Sequence, residues 1–176
     1  MNKYIRNLII LIVFQSLLGC GYTTSSTLPS NIKTIHIELF ENKINYASAG
    51  ERNIYLPLLE VKARNAIIDR FQYNGALKNT EPENADLILK GYLKSYDRRG
   101  LRYTDNDDVQ EYRVYITVHI ELYNTQTQET DWVEDSFTGE ATYFTTGSQA
   151  TSEETAVAEA ITDLARRIVE RTVEDW

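Results

Sequence analysis

Tyr112-Arg113-Val114-Tyr115-Ile116-Thr117-Val118-His119-Ile120-Glu121-Leu122-Tyr123 is the stretch that decides the fold. Its aliphatic residues occupy every second position, and polar residues occupy most of the positions between them. Because successive side chains of a strand point to opposite faces of a sheet, this alternation predicts a long β-strand with one buried face. The residues expected to face the core are Tyr112, Val114, Ile116, Val118, Ile120 and Leu122. The residues expected on the other face are Arg113, Tyr115, Thr117, His119, Glu121 and Tyr123.

Three other segments, residues 33–40, 85–96 and 132–144, predict strands that join this one in a sheet. The apolar residues expected to share their buried faces are Ile35, Ile37, Leu39, Leu87, Leu89, Leu93, Val133, Phe137, Ala141 and Tyr143. Polar residues at 97–108 predict a long hairpin connection, and those at 124–128 predict a turn. The last three strands are therefore expected to form an antiparallel meander.

Two segments have helical periodicity. Residues 54–74 place an apolar stripe at Leu56, Leu59, Ala63, Ile67 and Phe71, with Pro57 in the expected first turn and Gly75 after the last residue. The second helix is expected to begin after Thr151 or Ser152 and to run to about Glu174. Its apolar stripe is Val157, Ile161, Leu164 and Ile168.

The predicted order is β-α-β-β-β-α. Each strand has one apolar face and each helix has one apolar stripe, so a two-layer sandwich buries all of them. The fold class expected is α+β, with a four-stranded mixed sheet and two helices on one face. The first strand–helix–strand unit predicts a parallel pair of strands joined by a right-handed crossover.

Leu17-Leu18-Gly19-Cys20 closes a short apolar run that follows two basic residues, Lys3 and Arg6. A run of this length with a basic start is typical of a secretory signal, and is shorter than the roughly 20 apolar residues that span a bilayer. Gly19 before the only Cys resembles the bacterial lipobox, where the cysteine is lipidated. We therefore expect a signal peptide over 1–19, a lipidated tether over 20–31 and one domain over 32–176. The alternative is an ordinary signal peptide with an incidental cysteine.

Composition and motifs argue against several function classes. The net charge of −8 disfavours general binding to nucleic acid. The sequence contains no nucleophile elbow, no phosphate-binding glycine loop and no His-Glu-x-x-His motif. An EF-hand loop starting at Asp105 would need Gly and Glu where the chain has Gln110 and Ile116. We expect no catalytic residues, no metal site and no cofactor.

The uncovered face of the sheet is the candidate binding surface. It is expected to carry Lys90, Tyr92, Lys94, Tyr96, Arg113, Tyr115, His119, Tyr123 and Trp132. Tyrosine, tryptophan and arginine dominate protein–protein hot spots, so we predict partner contacts through Tyr92, Tyr115, Trp132, Arg113 and Tyr123. The alternative is that tyrosines simply favour strands. Arg98, Arg99 and Arg102 form a basic cluster in the predicted hairpin connection, which is either a binding site or a solvated loop.

Several short segments, taken in order, resemble the LptE family of lipopolysaccharide-assembly lipoproteins. They are Cys20-Gly21-Tyr22, Leu28-Pro29, Ile32-Lys33-Thr34-Ile35, Phe40-Glu41-Asn42, Ala85-Asp86-Leu87-Ile88-Leu89-Lys90-Gly91, Glu111-Tyr112-Arg113, Thr117-Val118 and Gly139-Glu140-Ala141-Thr142-Tyr143-Phe144. The resemblance implies a sandwich that plugs the outer-membrane β-barrel delivering lipopolysaccharide to the cell surface. It also implies contact with the glycolipid itself.

The resemblance assigns chemistry to the two predicted surfaces. The barrel would cover the aromatic face, and the phosphorylated sugar would suit Arg98, Arg99 and Arg102. Where better-known members of the family carry basic residues, this chain has Asp105-Asn106-Asp107 before one strand and Gln149-Ala150 before the last helix. Two other functions stay open from the residues alone, a lipid-tethered scaffold for another envelope complex and a periplasmic hydrolase.

Overall fold

The computed structural model of the protein describes residues 28–45 and 56–174. The predicted signal peptide, Cys20 and most of the predicted tether lie outside the described residues. The strands are β1 (Thr34–Ile37), β2 (Glu41–Asn42), β3 (Lys78–Asn79), β4 (Leu87–Tyr103), β5 (Val109–Asn124) and β6 (Glu129–Phe144), and the helices are α1 (Leu59–Asn74) and α2 (Glu153–Glu174). A short 3-10 turn, Pro82–Asn84, precedes β4.

The strands form one mixed sheet in the order β3-β1-β4-β5-β6, and β2 pairs with β4 just beyond the end of β1. β1 and β2 both run parallel to β4, whereas β4, β5 and β6 are antiparallel neighbours. The predicted α+β class, the parallel pair and the meander are confirmed. The predicted strand count is wrong, because β2 and β3 have two residues each and are too short to show a period in the sequence.

Both helices bury their predicted stripes in the same core as one face of the sheet. Leu59, Ala63, Ile67 and Phe71 of α1 join Val157, Ile161, Leu164 and Ile168 of α2 in one hydrophobic cluster with the five aliphatic residues of β5. The start of α1 differs from the prediction: Leu58 has a φ of 56°, so the helix begins after Pro57 rather than around it. Ser152 caps α2, because its Oγ accepts a hydrogen bond from the Thr155 amide at 3.0 Å.

The hairpin connection predicted for 97–108 is mostly strand. β4 continues to Tyr103 and β5 begins at Val109, which leaves the turn around Thr104–Asp108. Leu101 and Tyr103 are 46% and 55% exposed, so the strand continues past the part of the sheet that the helices cover. The apolar alternation therefore stops before the strand does. We call this end of the three strands the arm, comprising residues 97–103, 109–115 and 140–144; α2 still contacts its base through Arg98 and Glu140.

Two irregularities in strand register reverse which side chains face the helices. In β4 the register with β5 shifts between Leu93 and Ser95, and Tyr96 is buried on the helix side instead of lying on the open face as predicted. In β6 the register shifts around Asp135 and Ser136, so Trp132 lies opposite Leu122 on the helix side and Val133 lies opposite Glu121. An extra residue in one strand inverts the alternation beyond it, which explains both errors.

Helix α2 also covers the outer edge of β6. The Asp163 carboxylate accepts a hydrogen bond from the Glu140 amide at 3.1 Å, and the Arg167 guanidinium donates to the Thr138 carbonyl. One helical step further, Arg171 pairs with Glu134 at 3.1 Å and lies 5.0 Å from the centre of the Trp132 ring. Unpaired strand edges invite pairing with another chain, and these contacts occupy that edge with side chains.

Candidate interaction surface

We call the face of the sheet turned away from the helices the open face. It carries most of the side chains that the sequence predicts to contact a partner. Tyr92, Tyr115 and Tyr123 lie on it, together with Arg113, and each is half-buried. None of the described helices packs on this face. Trp132 does not belong to it, since that side chain lies under α2, so the prediction of its face is wrong.

Aromatic rings on the open face are covered by cations. Lys43 lies 4.2 Å from the centre of the Tyr92 ring and Lys90 lies 5.0 Å from that of Tyr123. Within the arm, Arg99 lies 5.2 Å from Tyr115 and Arg102 lies 5.7 Å from Phe144. Such pairs are favourable and hold long side chains in one orientation. Neither Lys43 nor Phe144 was predictable as part of this surface, because Lys43 follows a two-residue strand and Phe144 closes the last one.

His119 belongs to the same surface. Its ring stacks on Tyr92 with the centroids 4.8 Å apart, and its Nδ1 lies 3.0 Å from Asp135 Oδ1. Lys43 borders this group and pairs with Glu41 at 2.8 Å. The hydrogen bond with Glu41 raises the pKa of Lys43, so the cation stays charged. The side chains around Tyr92 are thus held by one another before any partner binds.

The three arginines predicted as one cluster are divided between the two faces. Arg98 points to the helix side, where its Nη1 donates to Tyr143 Oη and to Glu153 Oε2, both at 3.0 Å, and its guanidinium covers the Tyr112 ring at 4.0 Å. Arg99 and Arg102 lie on the open face. The same register shift that buries Tyr96 places Arg98 under α2, so the three do not form a common site.

Glu153 is the centre of a polar network that joins the arm to the first turn of α2. Its carboxylate accepts hydrogen bonds from the hydroxyls of Tyr96 at 2.7 Å and Tyr143 at 3.1 Å, in addition to the pairing with Arg98. Burial, followed by the hydrogen bond to Glu153, raises the pKa of Tyr96. Burial lowers the pKa of Arg98, but the Tyr143 hydroxyl and the Glu153 carboxylate outweigh it and leave that pKa raised. The network is internal, so we assign it a structural role.

The described residues hold two histidines, and each contacts an oxygen atom. His36 Nδ1 lies 2.8 Å from the Thr80 carbonyl oxygen, and His119 Nδ1 lies 3.0 Å from the Asp135 carboxylate. In the part of the chain that the structure describes, no three His, Cys, Asp or Glu side chains are grouped as metal ligands. Within the same residues, no helix combines the length and the apolar character needed to cross a membrane.

Solved structures with the same fold come from other bacterial proteins. The chain aligns with an uncharacterised lipoprotein B from Nitrosomonas europaea at a TM-score of 0.56 and 12% identity, over 88% of this chain and 90% of the other. It aligns with a protein from Xanthomonas campestris at 0.55 and 13% identity, over 84% and 88%. A third match, at 0.50 and 15% identity over 85% and 96%, is PelC from Paraburkholderia phytofirmans, solved as a dodecamer. At these identities the matches show a shared fold only.

No curated protein matches the chain. The family model described as LptE, lipopolysaccharide-assembly, matches residues 32–172, a span that contains all the strands and nearly all of α2. The chain therefore belongs to the LptE family, as the resemblance in its sequence predicts.

Proposed function

We propose that this protein is an outer-membrane lipoprotein, anchored through acyl chains on Cys20, that plugs the lipopolysaccharide-translocating β-barrel and helps deliver lipopolysaccharide to the outer leaflet. Family membership supports a role in lipopolysaccharide assembly. The single observation that carries the docking half of the proposal is the open face. It presents tyrosines and arginines that are already ordered by stacking and by cation–π contacts.

Ordered aromatic side chains are suited to a protein partner. Association costs free energy for every long side chain that it immobilises, and the cations on this face already contact rings in the unbound protein, which lowers that cost. Interface hot spots are rich in tryptophan, tyrosine and arginine, and the contacts around them exclude water. We propose Tyr92, Tyr115, Tyr123 and Arg113 as the partner-binding residues. Trp132, which lies on the helix side, is left out of this set.

The test is a double variant on the open face. Tyr92→Ala with Tyr115→Ala removes two rings and leaves their cations without support, so we expect barrel affinity to fall by about 2 kcal/mol or more, roughly thirtyfold. The measurement is co-purification of the barrel from detergent-extracted outer membranes. Tyr73→Ala is the matched control, because Tyr73 lies on α1 and is 83% exposed.

The outcomes separate the possible partners. If the double variant retains the barrel fully and its melting temperature is unchanged, the open face is not the surface that contacts the barrel. Loss of a different envelope protein, with the barrel never captured by the wild type, would favour a lipid-tethered scaffold of another complex. Trp132→Ala should lower stability rather than affinity, because Trp132 packs against the core under α2.

A further inference from the structure

We infer that the outer edge of β4 between Ser95 and Gly100, which we call the free edge, is a site for the addition of a β-strand. Its occupant is an extended segment of the partner barrel, held through main-chain hydrogen bonds. The site deepens the proposed function, and it rests on that function for the identity of the partner.

The outer side of β4 is paired along only part of its length in the described chain. β1 pairs with residues 87–89 and β2 with residues 92 and 93. β2 then ends, because the Ile44 amide donates to Asn42 Oδ1 at 3.2 Å and the chain turns. Beyond residue 93, no strand or isolated bridge of the described residues pairs with this side of β4. The other edge of the meander, on β6, is covered by side chains of α2.

The alternation along β4 identifies the backbone groups that face the free edge. The carbonyls of Leu89 and Leu93 accept hydrogen bonds at 3.0 Å from the residues that follow β1 and β2, and both leucine side chains face the helices. Along a strand, the directions of the side chain and of the backbone groups alternate together. Tyr96, Arg98 and Gly100 share the helix side, so their N–H and C=O groups point outward.

The free edge is regular and has a defined length. Its register with β5 is unbroken from Ser95 to Gly100, and it shifts just before and just after this run. Unpaired groups on a regular edge are a template for another chain, whereas bulges limit such pairing. The free edge therefore fits an extended segment of about six residues, or about 20 Å, without proline at the paired positions. Asp97 lies opposite Tyr115, so a partner on the open face reaches the free edge without a break.

A second copy of the chain is a poor occupant. Antiparallel pairing around a two-fold axis is centred on one residue, because paired side chains must share a face. Centred on Asp97, Arg98 or Arg99, the pairing opposes that residue with its own image, and centred on Gly100 it opposes Arg98 with Arg102. Each of these registers places like charges directly opposite each other, which is unfavourable. A centre nearer the start of the free edge drives the arm of the copy into β2. A different polypeptide has no such constraint.

Hydrogen exchange tests the site without a substitution. It is measured amide by amide on the full chain in a nonionic detergent, alone and in the purified complex with the barrel. The amides of Arg98 and Gly100 should exchange rapidly in the free protein and at least about a hundredfold more slowly in the complex, because a hydrogen bond must open before exchange. The amides of Asp97 and Arg99 are the internal control, since they face β5 and should be protected in both states.

A pair of variants at Gly100 tests the same hydrogen bond by affinity. Gly100→Pro removes the outward N–H, whereas Gly100→Ala keeps it. A Cβ atom at this position lies 2.5 Å from the Tyr103 hydroxyl in both variants, so their crowding is matched. Proline is tolerated where the N–H of an edge strand faces solvent, so the two melting temperatures should agree. We expect Gly100→Pro to capture the barrel at least about tenfold less well than Gly100→Ala.

Several results would overturn the site. Equal capture by the two variants at equal melting temperature is one. Slow exchange at Arg98 and Gly100 in the free monomer is another, because another segment of the chain would then fill the edge, and protection that rises with protein concentration alone would identify a second copy. A captured barrel with both amides still exchanging rapidly refutes the site and leaves the proposed function standing. If the wild type captures no barrel, the proposed function fails and the site fails with it.

Discussion

At the scale of single residues, the structure depends on a few side chains that connect distant parts of the chain. Asp86 stands at the start of β4, inside a segment that resembles the family. Its carboxylate accepts hydrogen bonds at 2.9 Å from the amides of Lys33 and Thr34, from the Thr34 hydroxyl and from the Gln126 side chain. These bonds join the entry to β1, the start of β4 and the β5–β6 turn.

Asp86→Ala should lower the free energy of unfolding by about 2–3 kcal/mol. The substitution removes a charged acceptor and leaves several hydrogen-bond donors unpaired. Urea denaturation measures the change, and Asp105→Ala in the exposed turn of the arm is the control. A loss no larger than that of the control would mean that water replaces the carboxylate at no cost.

The same residue predicts a pH dependence. Burial acts to raise the pKa of Asp86, but the hydrogen bonds outweigh it and hold that pKa below the ordinary 3.8. A lowered pKa stabilises the fold above the unfolded-state pKa, and this contribution is lost as the pH falls through the folded-state value. We therefore expect the stability gap between the wild type and Asp86→Asn to be constant near neutrality and to narrow below about pH 4. A gap that widens on acidification would contradict the assignment.

Gly139 is needed where α2 crosses β6. A Cβ atom built on this residue would lie 2.5 Å from the Leu164 Cβ and 2.6 Å from the Leu164 amide nitrogen. Gly139→Ala should push the helix away from the sheet and cost about 1–3 kcal/mol, the range for overpacked cores. Thermal unfolding measures the cost, and Thr130→Ala, at an exposed position of the same strand, is the control. Equal melting temperatures would show that α2 shifts without penalty.

At the scale of elements, the strand–helix pattern was predictable and the local register was not. The alternation in β5 survives because the helices cover its whole central part, so every second residue must be apolar. Nothing in the residues Lys94, Asp135 and Ser136 distinguishes an extra residue in a strand from an ordinary solvent-facing position. Each shift nevertheless inverts the alternation on one side of it relative to the other, and for that reason the predicted faces of Tyr96 and Trp132 are wrong, whereas those of Tyr92, Tyr115 and Tyr123 are correct.

The contact between the arm and α2 can be tested as a unit. Arg98 and Glu153 are 21% and 19% exposed, and both take part in the tyrosine network, so a double-mutant cycle with Arg98→Met and Glu153→Gln should give a coupling energy of about 1–2 kcal/mol. The matched cycle on Arg166 and Glu170, which are 43% and 38% exposed, should give less than about 0.5 kcal/mol. Urea denaturation of the wild type and the six variants provides both values. Equal coupling in the two pairs would show that partial burial adds nothing at Arg98.

In the whole molecule, the proposed anchor and the arm lie at opposite ends of the sheet. The described chain begins at Leu28, which packs against the core, and Asn31 contacts Gln126 in the β5–β6 turn at the end of the sheet where β4 starts. The arm occupies the other end, and the 17 residues of β4 separate the two by roughly 55 Å at about 3.3 Å per residue. The proposed lipid anchor therefore joins the end of the domain that is remote from the arginines of the arm.

This arrangement predicts what loss of the anchor does. Cys20 lies eight residues before Leu28 and outside the described residues, so Cys20→Ala should leave the free energy of unfolding of the domain unchanged. The variant should leave the membrane fraction, because its acyl chains are gone. Capture of the barrel should fall at native expression and recover on overexpression, since confinement to a membrane raises the effective concentration of the domain beside its partner without adding a contact.

Fractionation, urea denaturation and co-purification measure the three effects. A variant that stays in membranes at the mature size would refute lipidation at Cys20, whereas a capture defect that overexpression does not rescue would mean that the anchor contributes directly to the interface.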